Sequence, residues 1–331
     1  MTRALRLAAG LALVAAIGFG AWFAWRILTP RPLPATPLEF SIAQGSSLRA
    51  AATTLREAGL LADAWSFVLL GRMLGRAGEI KAGHYQVSDP VAPTELLELL
   101  TRGLVTQSEI RLIEGWTLKQ VRRALEEHPD LKHETPGLND AQLALAVGAP
   151  EANLEGLIFP DTYFFPKGER DVAVLRRAYL SMQQELQAAW AARAPGLPLA
   201  TPYEALILAS IVEKETGAAA DRSMIAGVFT NRLKRGMKLD TDPSVIYGLG
   251  DAFDGNLRKR DLLTDTPYNT YTRVGLPPTP IAMPGLASIR AALNPAPTSA
   301  LYFVARGDGT SHFSSNLADH ERAVTRYQRR K

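Results

Sequence analysis

The chain has 331 residues, 47% apolar and 21% charged, with a net charge of +4 and no cysteine. This composition is that of a folded protein, and the length predicts two or three domains rather than one simple core. The absence of Cys excludes disulfides, thiol nucleophiles and Cys-based metal sites, and the mild basicity reads as surface Lys and Arg or a weak preference for an anionic polymer. No nucleic-acid partner is expected.

Residues 4–28 are apolar apart from Arg6 near one end and Arg26 near the other. About 20 such residues at ~1.5 Å rise cross a bilayer. Arg3 and Arg6 at the start favour a cytoplasmic N-terminus, with Arg26 and Arg31 working against that asymmetry, and Trp22 and Trp25 stand where an interfacial belt belongs. The competing reading is a cleaved signal peptide. Its apolar core runs ~7–15 residues and ends in small residues, whereas this run is longer and ends in Trp and Arg. The expectation is a cytoplasmic tail at 1–3, an uncleaved transmembrane helix at 4–28, and the bulk of the chain outside the membrane. The Pro-punctuated stretch 29–37 predicts a stiff spacer.

From 38 to 104 the pattern predicts a small βααβα module. A strand in "LEFSIAQG" precedes a helix in "SSLRAAATTLREAG", capped by Ser46 or Ser47 and ended by Gly59. A second helix in "DAWSFVLLGRMLG", a strand in "AGHYQVS" and a helix in "APTELLELLTRG", opened by Thr94 and closed by Gly103, complete it. The element order resembles a LysM-like glycan-binding module; a packing or spacer domain has the same order. From 105 to 331 a larger α+β domain is expected. It starts with a strand in "SEIRLIEG" and short helices in "TLKQVRRALEEHP" and "NDAQLALAVGAP". The stretch "LEGLIFPDTYFFPKG" is too interrupted for one element, and a long helix from Asp171, its possible cap, follows.

"TPYEALILASIVEKETG" carries strong helix signals. Thr201 and Glu204 form a capping box, Pro202 takes the first position and Gly217 the left-handed stop. It is apolar nearly all round, so it is a buried helix that ends in Glu213 and Glu215. At ~100° per residue these two point to opposite sides and form no dyad. The last-turn position and apolar surroundings both disfavour the Glu215 anion and raise its pKa, as a general acid needs. The alternative is that both are salt-bridged, to Lys214, Arg222, Arg232 or Lys234. A second helix in "DRSMIAGVFTNRLKRGM", capped by Asp221 and ended by Gly236, leads into "KLDTDPSVIYGLG" and "TPYNTYTRVGLPPTPIAMPG", loops rich in Pro, Gly, Tyr, Asn and Thr. Such loops make rigid, aromatic-walled sugar clefts or ordinary turns. There is no G-x-S-x-G, H-E-x-x-H or Walker A motif, and the five His residues are scattered. No metal and no organic cofactor is expected.

"ASIVEKET…VFTNRLKRGMKLDTDPSVIYGLG…YNTYTRVGLPPTPIAMPG", with "EGLIFPDTYFFP" before it and "LYFVARGDGTSHFSSNLADH" after it, resembles the endolytic murein transglycosylases, the YceG-like family. The resemblance covers about 105 to 325 and places the anchor and the LysM-like module where that family has them. It implies an α+β catalytic domain with a helix-borne Glu in a cleft, and identifies Glu215, before Thr in "KET", as the catalytic acid, with Glu213 in support. Asp242, Tyr247, Tyr268, Asn269, Thr270, Tyr271, Pro277 and Pro278 are expected to bind substrate or hold the cleft loops, and "GDGTSHFSS" leaves His312 without an assigned role.

The resemblance further implies cleavage of the MurNAc–GlcNAc bond of peptidoglycan to 1,6-anhydroMurNAc ends, terminating nascent strands. The setting would be the bacterial inner membrane, single-pass, with the bulk periplasmic and peptidoglycan synthases as partners. Two alternatives stay open. A hydrolytic muramidase would use Asp240 or Asp242 as a second carboxylate, and a non-catalytic scaffold would only bind murein.

Overall fold

The computed structural model describes residues 2–104, 107–215 and 217–328, with side chains from residue 7 onward. Met1 and the side chains of Arg3 and Arg6 in the expected tail and anchor, Val105 and Thr106 at the expected start of the large domain, Thr216 of the "KET" triplet and residues 329–331 lie outside the described residues. The architecture is mixed α+β, with an apolar helix at the N-terminus. The chain divides into one unit of Met1–Ser108 with Phe164–Gly168, and a second of Glu109–Tyr163 with Glu169–Lys331.

The smaller unit opens with α1, Thr2–Leu28, in which Leu7–Leu28 is long and apolar enough to cross a membrane by length and composition. Strand β1, Leu38–Ile42, then leads to α2, Leu48–Glu57, and α3, Ala64–Met73; β2, Gly83–Val87, and α4, Pro93–Arg102, follow. β1 and β2 pair antiparallel, with Phe40 opposite Tyr85 and the two rings stacked at 5.5 Å. Ser47 caps α2 by accepting the Ala50 N–H, and Asp63 caps α3 by accepting the Ser66 N–H. Thr94, expected to open α4, is inside it. Pro93 holds the first position, where its missing N–H costs nothing, and the Glu95 carboxylate reaches back to the Ala92 N–H. The core gathers Phe40, Leu55, Phe67, Tyr85, Leu96 and Leu100.

The chain leaves the first unit within β3, Gln107–Arg111, which is shorter than the strand read in "SEIRLIEG". The second unit continues through α5, Leu118–Glu126; β4, Leu131–Lys132; and α6, Asp140–Val147. After β5, Thr162–Pro166, come β6, Glu169–Arg170, and the long α7, Asp171–Ala191. Asp171 is not the cap of α7 but its first residue. Its buried carboxylate accepts the N–H groups of Glu134, Thr135 and Val172 and the Thr135 hydroxyl, joining two distant segments.

α8, Pro202–Glu215, is the axis of this unit. Every residue from Ala205 to Val212 is buried, and α7, α9 (Ala219–Lys234), α10 (Asp242–Leu249) and α12 (Leu286–Leu293) all pack on it. An all-apolar helix demands such neighbours on every side. Its start differs from the expected box by one residue: Thr201 accepts the Glu204 N–H, but the Glu204 carboxylate takes the N–H of Ala200. Gly217 does not adopt the left-handed conformation. Asp221 lies in the first turn of α9 rather than at its cap, and its carboxylate accepts the Ser311 N–H. Helix α11, Lys259–Leu263, precedes α12. The antiparallel hairpin β7, Tyr302–Ala305, with β8, Ser311–Ser314, and then α13, Leu317–Tyr327, end the described chain.

Gly156 is a tight joint of the second unit, made against a Pro ring. Its φ of 76° is left-handed, and an added Cβ would stand 2.3 Å from Cβ of Pro280. Both the backbone strain and the backbone-anchored Pro ring oppose any side chain. Gly156→Ala is expected to lower stability by about 2 kcal/mol or more, read as a lower denaturation midpoint at unchanged slope.

Candidate active site

The two Glu residues at the end of α8 have separate surroundings. Glu213 turns to α12, where its Oε2 accepts the Gly285 N–H at 2.9 Å. Gly285 is the cap residue of that helix, so a carboxylate there satisfies an orphan donor and sits at the positive end of the dipole. Glu213 thus fastens α8 to α12. Glu215 turns to the segment before α10, and the Thr241 hydroxyl donates to its Oε1. Among the described residues no cation pairs with Glu215. Burial pushes its carboxyl up to about 7; the Thr241 hydroxyl pulls it down, the Asp242 charge pushes it up, and Arg232 pulls it down.

Arg232 of α9 sets the position of Thr241. Its guanidinium is buried and donates to the carbonyls of Leu301, Lys238 and Leu239 and to the Asp240 carboxylate at 2.9 Å. A planar fork with five donors suits this task, because it fixes three consecutive residues at once. Asp240 adopts φ 48°, a left-handed conformation that Asp tolerates better than most residues. The Thr241 N–H then donates to the Thr270 hydroxyl, which also bonds to Ser244. Thr270 and Asn269 are 2% and 0% exposed. Asn269 spends its amide on the carbonyls of Asp261, Leu262 and Thr264. These two side chains brace the loop from within.

Asp242 and Tyr271 lie beside this group. Asp242 is exposed in the first turn of α10 and accepts the Tyr271 hydroxyl at 2.6 Å. Burial, and then Asp242 itself, push the Tyr271 phenol upward, so it stays a donor. Pro277 and Pro278 line a hollow of about 290 Å³ with Asn269 and Thr270. His312 lies on β8 with its ring against Tyr327. No group of three or more His, Cys, Asp or Glu converges among the described residues as a cation would require.

The far end of α10 borders a cleft of about 900 Å³, walled by Tyr247, Tyr268, Glu155, Asn153, Lys119 and Arg122 among others. Tyr247 and Tyr268 meet edge to face at 4.9 Å. Glu215 is not among the lining residues. It is joined to the cleft through α10, along which Asp242 and Tyr247 are five residues, about 7.5 Å, apart. No motif in the sequence singles out Glu155. It is 4% exposed, accepts the Leu118 N–H on both oxygens at 3.1 Å, and accepts the Tyr247 hydroxyl at 3.1 Å. Burial pushes it up to about 7, against the hydrogen bonds from Leu118, Tyr247 and Gly156. One sign of it was legible: a lone carboxylate inside the apolar run "LEGLI" must find donors or stay protonated.

The family model described as the YceG-like family matches residues 40–326. An endolytic murein transglycosylase of Bacillus subtilis is 31% identical over 309 residues, covering 88% of this chain and 85% of its own length. A second protein of that name, from Streptococcus pneumoniae, is 28% identical over 96% of this chain, which spans 64% of the streptococcal protein. The crystal structure of a putative yceG-like protein from Listeria monocytogenes superposes with a TM-score of 0.53 at 28% identity, covering 86% of this chain and 98% of that one. With a match over most of its length and a relative above 30% identity, the chain belongs to the YceG-like family.

Proposed function

We infer that the chain is a peptidoglycan lytic transglycosylase with Glu215 as its acid and base. The supporting observation is a carboxyl at the end of a buried helix, paired to no cation among the described residues and pushed up to about 7. A group with that pKa holds a proton for a substantial part of the time at neutral pH and gives it up readily. Protonated Glu215 donates to the glycosidic oxygen between MurNAc C1 and GlcNAc O4 as that bond breaks and C1 gains oxocarbenium character. The carboxylate left behind takes the proton from the MurNAc C6 hydroxyl as that oxygen bonds to C1. The ring closes to the 1,6-anhydro form, the GlcNAc side leaves with its 4-hydroxyl, and Glu215 is protonated again with no water consumed.

The cleft beside Tyr247 and Tyr268 would take flanking sugars, with Glu155 holding Tyr247 in place. Asp242 and Tyr271 would steady the sugar at the acid. In the full reading, residues 1–3 are cytoplasmic, 4–28 anchor the chain in the inner membrane, and 29–37 space it. A LysM-like module over 38–104 and the catalytic domain over 105–331 then lie in the periplasm. There the enzyme cuts within nascent strands, beside the synthases that extend them. Asp242 supports one rival chemistry, hydrolysis. It lies close enough for its charge to raise the pKa of Glu215, and a second carboxylate is what a hydrolase requires.

Purified murein digested by the wild type is expected to yield anhydro ends by mass spectrometry; reducing ends would assign the hydrolase. Glu215→Gln is expected to lose ~10²–10⁴-fold in rate while its circular dichroism stays native, and near wild-type turnover would refute the assignment.

The active form for cleavage is the protonated one, so activity is expected to fall as pH rises through about 7. Thr241→Val removes a hydrogen bond that favours the carboxylate, so this basic limb should move to higher pH in the rate profile.

The same shift bears on stability. The folded chain keeps the Glu215 proton between the model-peptide value of 4.5 and about 7, while the unfolded chain has released it. The stability this group supplies is therefore complete below 4.5 and lost as pH rises to about 7. Glu215→Gln should melt higher than wild type at pH 8 and show no such gain at pH 4.5.

A further inference from the structure

The end of α1 is built into the small unit. Phe23 is 7% exposed and joins its core, with Ile27 packed alongside. Arg26 pairs with Asp63 at 2.6 Å, and the Trp65 ring stacks on Trp22 at 6.0 Å and on Phe23 at 6.3 Å. A hydrocarbon core of ~30 Å takes ~20 helical residues. Counted from Leu7, where the apolar stretch opens, it ends near Arg26. Asp63 and Trp65 therefore stand at the bilayer boundary. Asp63 meets Arg26, and two residues later Trp65 meets Trp22, one turn of α1 nearer the bilayer centre. The start of α3 therefore lies at that boundary, with the Trp65 side of the helix against it.

What α3 carries there is apolar and basic. Trp65, Met73 and Leu74 are 48%, 68% and 56% exposed, Arg72 and Arg76 are exposed too, and no acidic residue lies between Asp63 and Glu79. Trp65, Arg72 and Met73, spaced by seven and eight, share one side of the helix. Large apolar groups left open to water on a small unit are costly, and the combination of Trp, Met, Leu and Arg suits the headgroup layer. There the apolar groups enter the acyl boundary while the Arg heads reach lipid phosphates.

We propose that the outer face of α3, formed by Trp65, Arg72 and Met73, together with the turn after it that carries Leu74 and Arg76, is seated in the headgroup layer of the bilayer that holds α1. The small unit is then footed on the membrane by two contacts, a spanning helix and a surface helix, rather than hung from a tether. The proposal rests on α1 being a membrane anchor.

The chain has no cysteine, so single nitroxide labels can be introduced in the full-length protein as Val14→Cys, Met73→Cys and Leu74→Cys. Each is read in vesicles of phosphatidylethanolamine and phosphatidylglycerol by collision with oxygen, which partitions into lipid, and with a water-soluble nickel chelate. Oxygen is expected to dominate at 73 and 74 as it does at 14. Nickel dominating at 73 and 74 while oxygen dominates at 14 overturns the proposal and leaves the anchor standing. Labels at 73 and 74 shielded from both reagents place a second copy of the chain on this face and overturn it equally. Nickel dominating at 14 refutes the anchor itself, and the proposal falls with it.

Discussion

A carboxyl at the end of a helix buried on every side, bonded to a hydroxyl and to no cation among the described residues, is the constraint on which the second unit depends. Desolvation favours the protonated form of Glu215, and a Lys or Arg placed beside it would reverse that preference. Arg232 lies close enough to lower the pKa, yet its guanidinium is committed to three carbonyls and to Asp240. It acts on Glu215 through position more than through charge, because it fixes the turn from which Thr241 reaches the acid. The residues that bind the turn at 238–241 are therefore as much a part of the site as those that face it.

α10 is the part that connects this acid to the large cleft. Its first turn carries Asp242 beside Glu215, and its far end carries Tyr247 on Glu155. Glu155 also accepts the N–H of Leu118, the first residue of α5, so α5 and α10 are held by one carboxyl. Movement of α10 would disturb both ends together. The left-handed Gly156, locked against Pro280, keeps that carboxyl where both helices can use it.

The order of elements in the small unit is legible because most have a local signal: alternation in the strands, Ser46 or Ser47 as a cap, of which the structure uses Ser47, and Gly103 as a stop; the cap at Asp63 shows only in the structure. The caps that were misplaced, at Thr94, Asp171 and Asp221, are side chains that bond across the fold or leave the cap to a backbone group, and local pattern does not encode that choice. α10 reads as loop in the sequence, within segments dense in Pro, Gly, Tyr, Asn and Thr, although Asp242 and Pro243 form a helix start. The opposite directions of Glu213 and Glu215 followed from helix geometry alone. Their partners, a backbone N–H of Gly285 and the Thr241 hydroxyl, come from 72 and 26 residues away, where no spacing rule reaches. Glu155 was hidden for the same reason, since its role is defined by Leu118 and Tyr247.

Two carboxyls in the second unit are pushed up to about 7, and their hydrogen bonds separate their roles. A shift from 4.5 to about 7 at the almost fully buried Glu155 is roughly 3 kcal/mol in favour of the neutral form. Its oxygens nevertheless already accept from Leu118, Gly156 and Tyr247, so a proton there has no free direction toward a ligand. Glu215 differs. Thr241 occupies Oε1, and among the described residues Oε2 accepts no hydrogen bond. A general acid needs an oxygen that can present its proton outward and recover one from the same side, and of the two only Glu215 has one to spare. Two carboxyls pushed up alike thus differ in what they can do: the one at the far end of α10 is a brace, and the one beside its first turn keeps an oxygen for the acid role proposed for it, because it has fewer donors to satisfy.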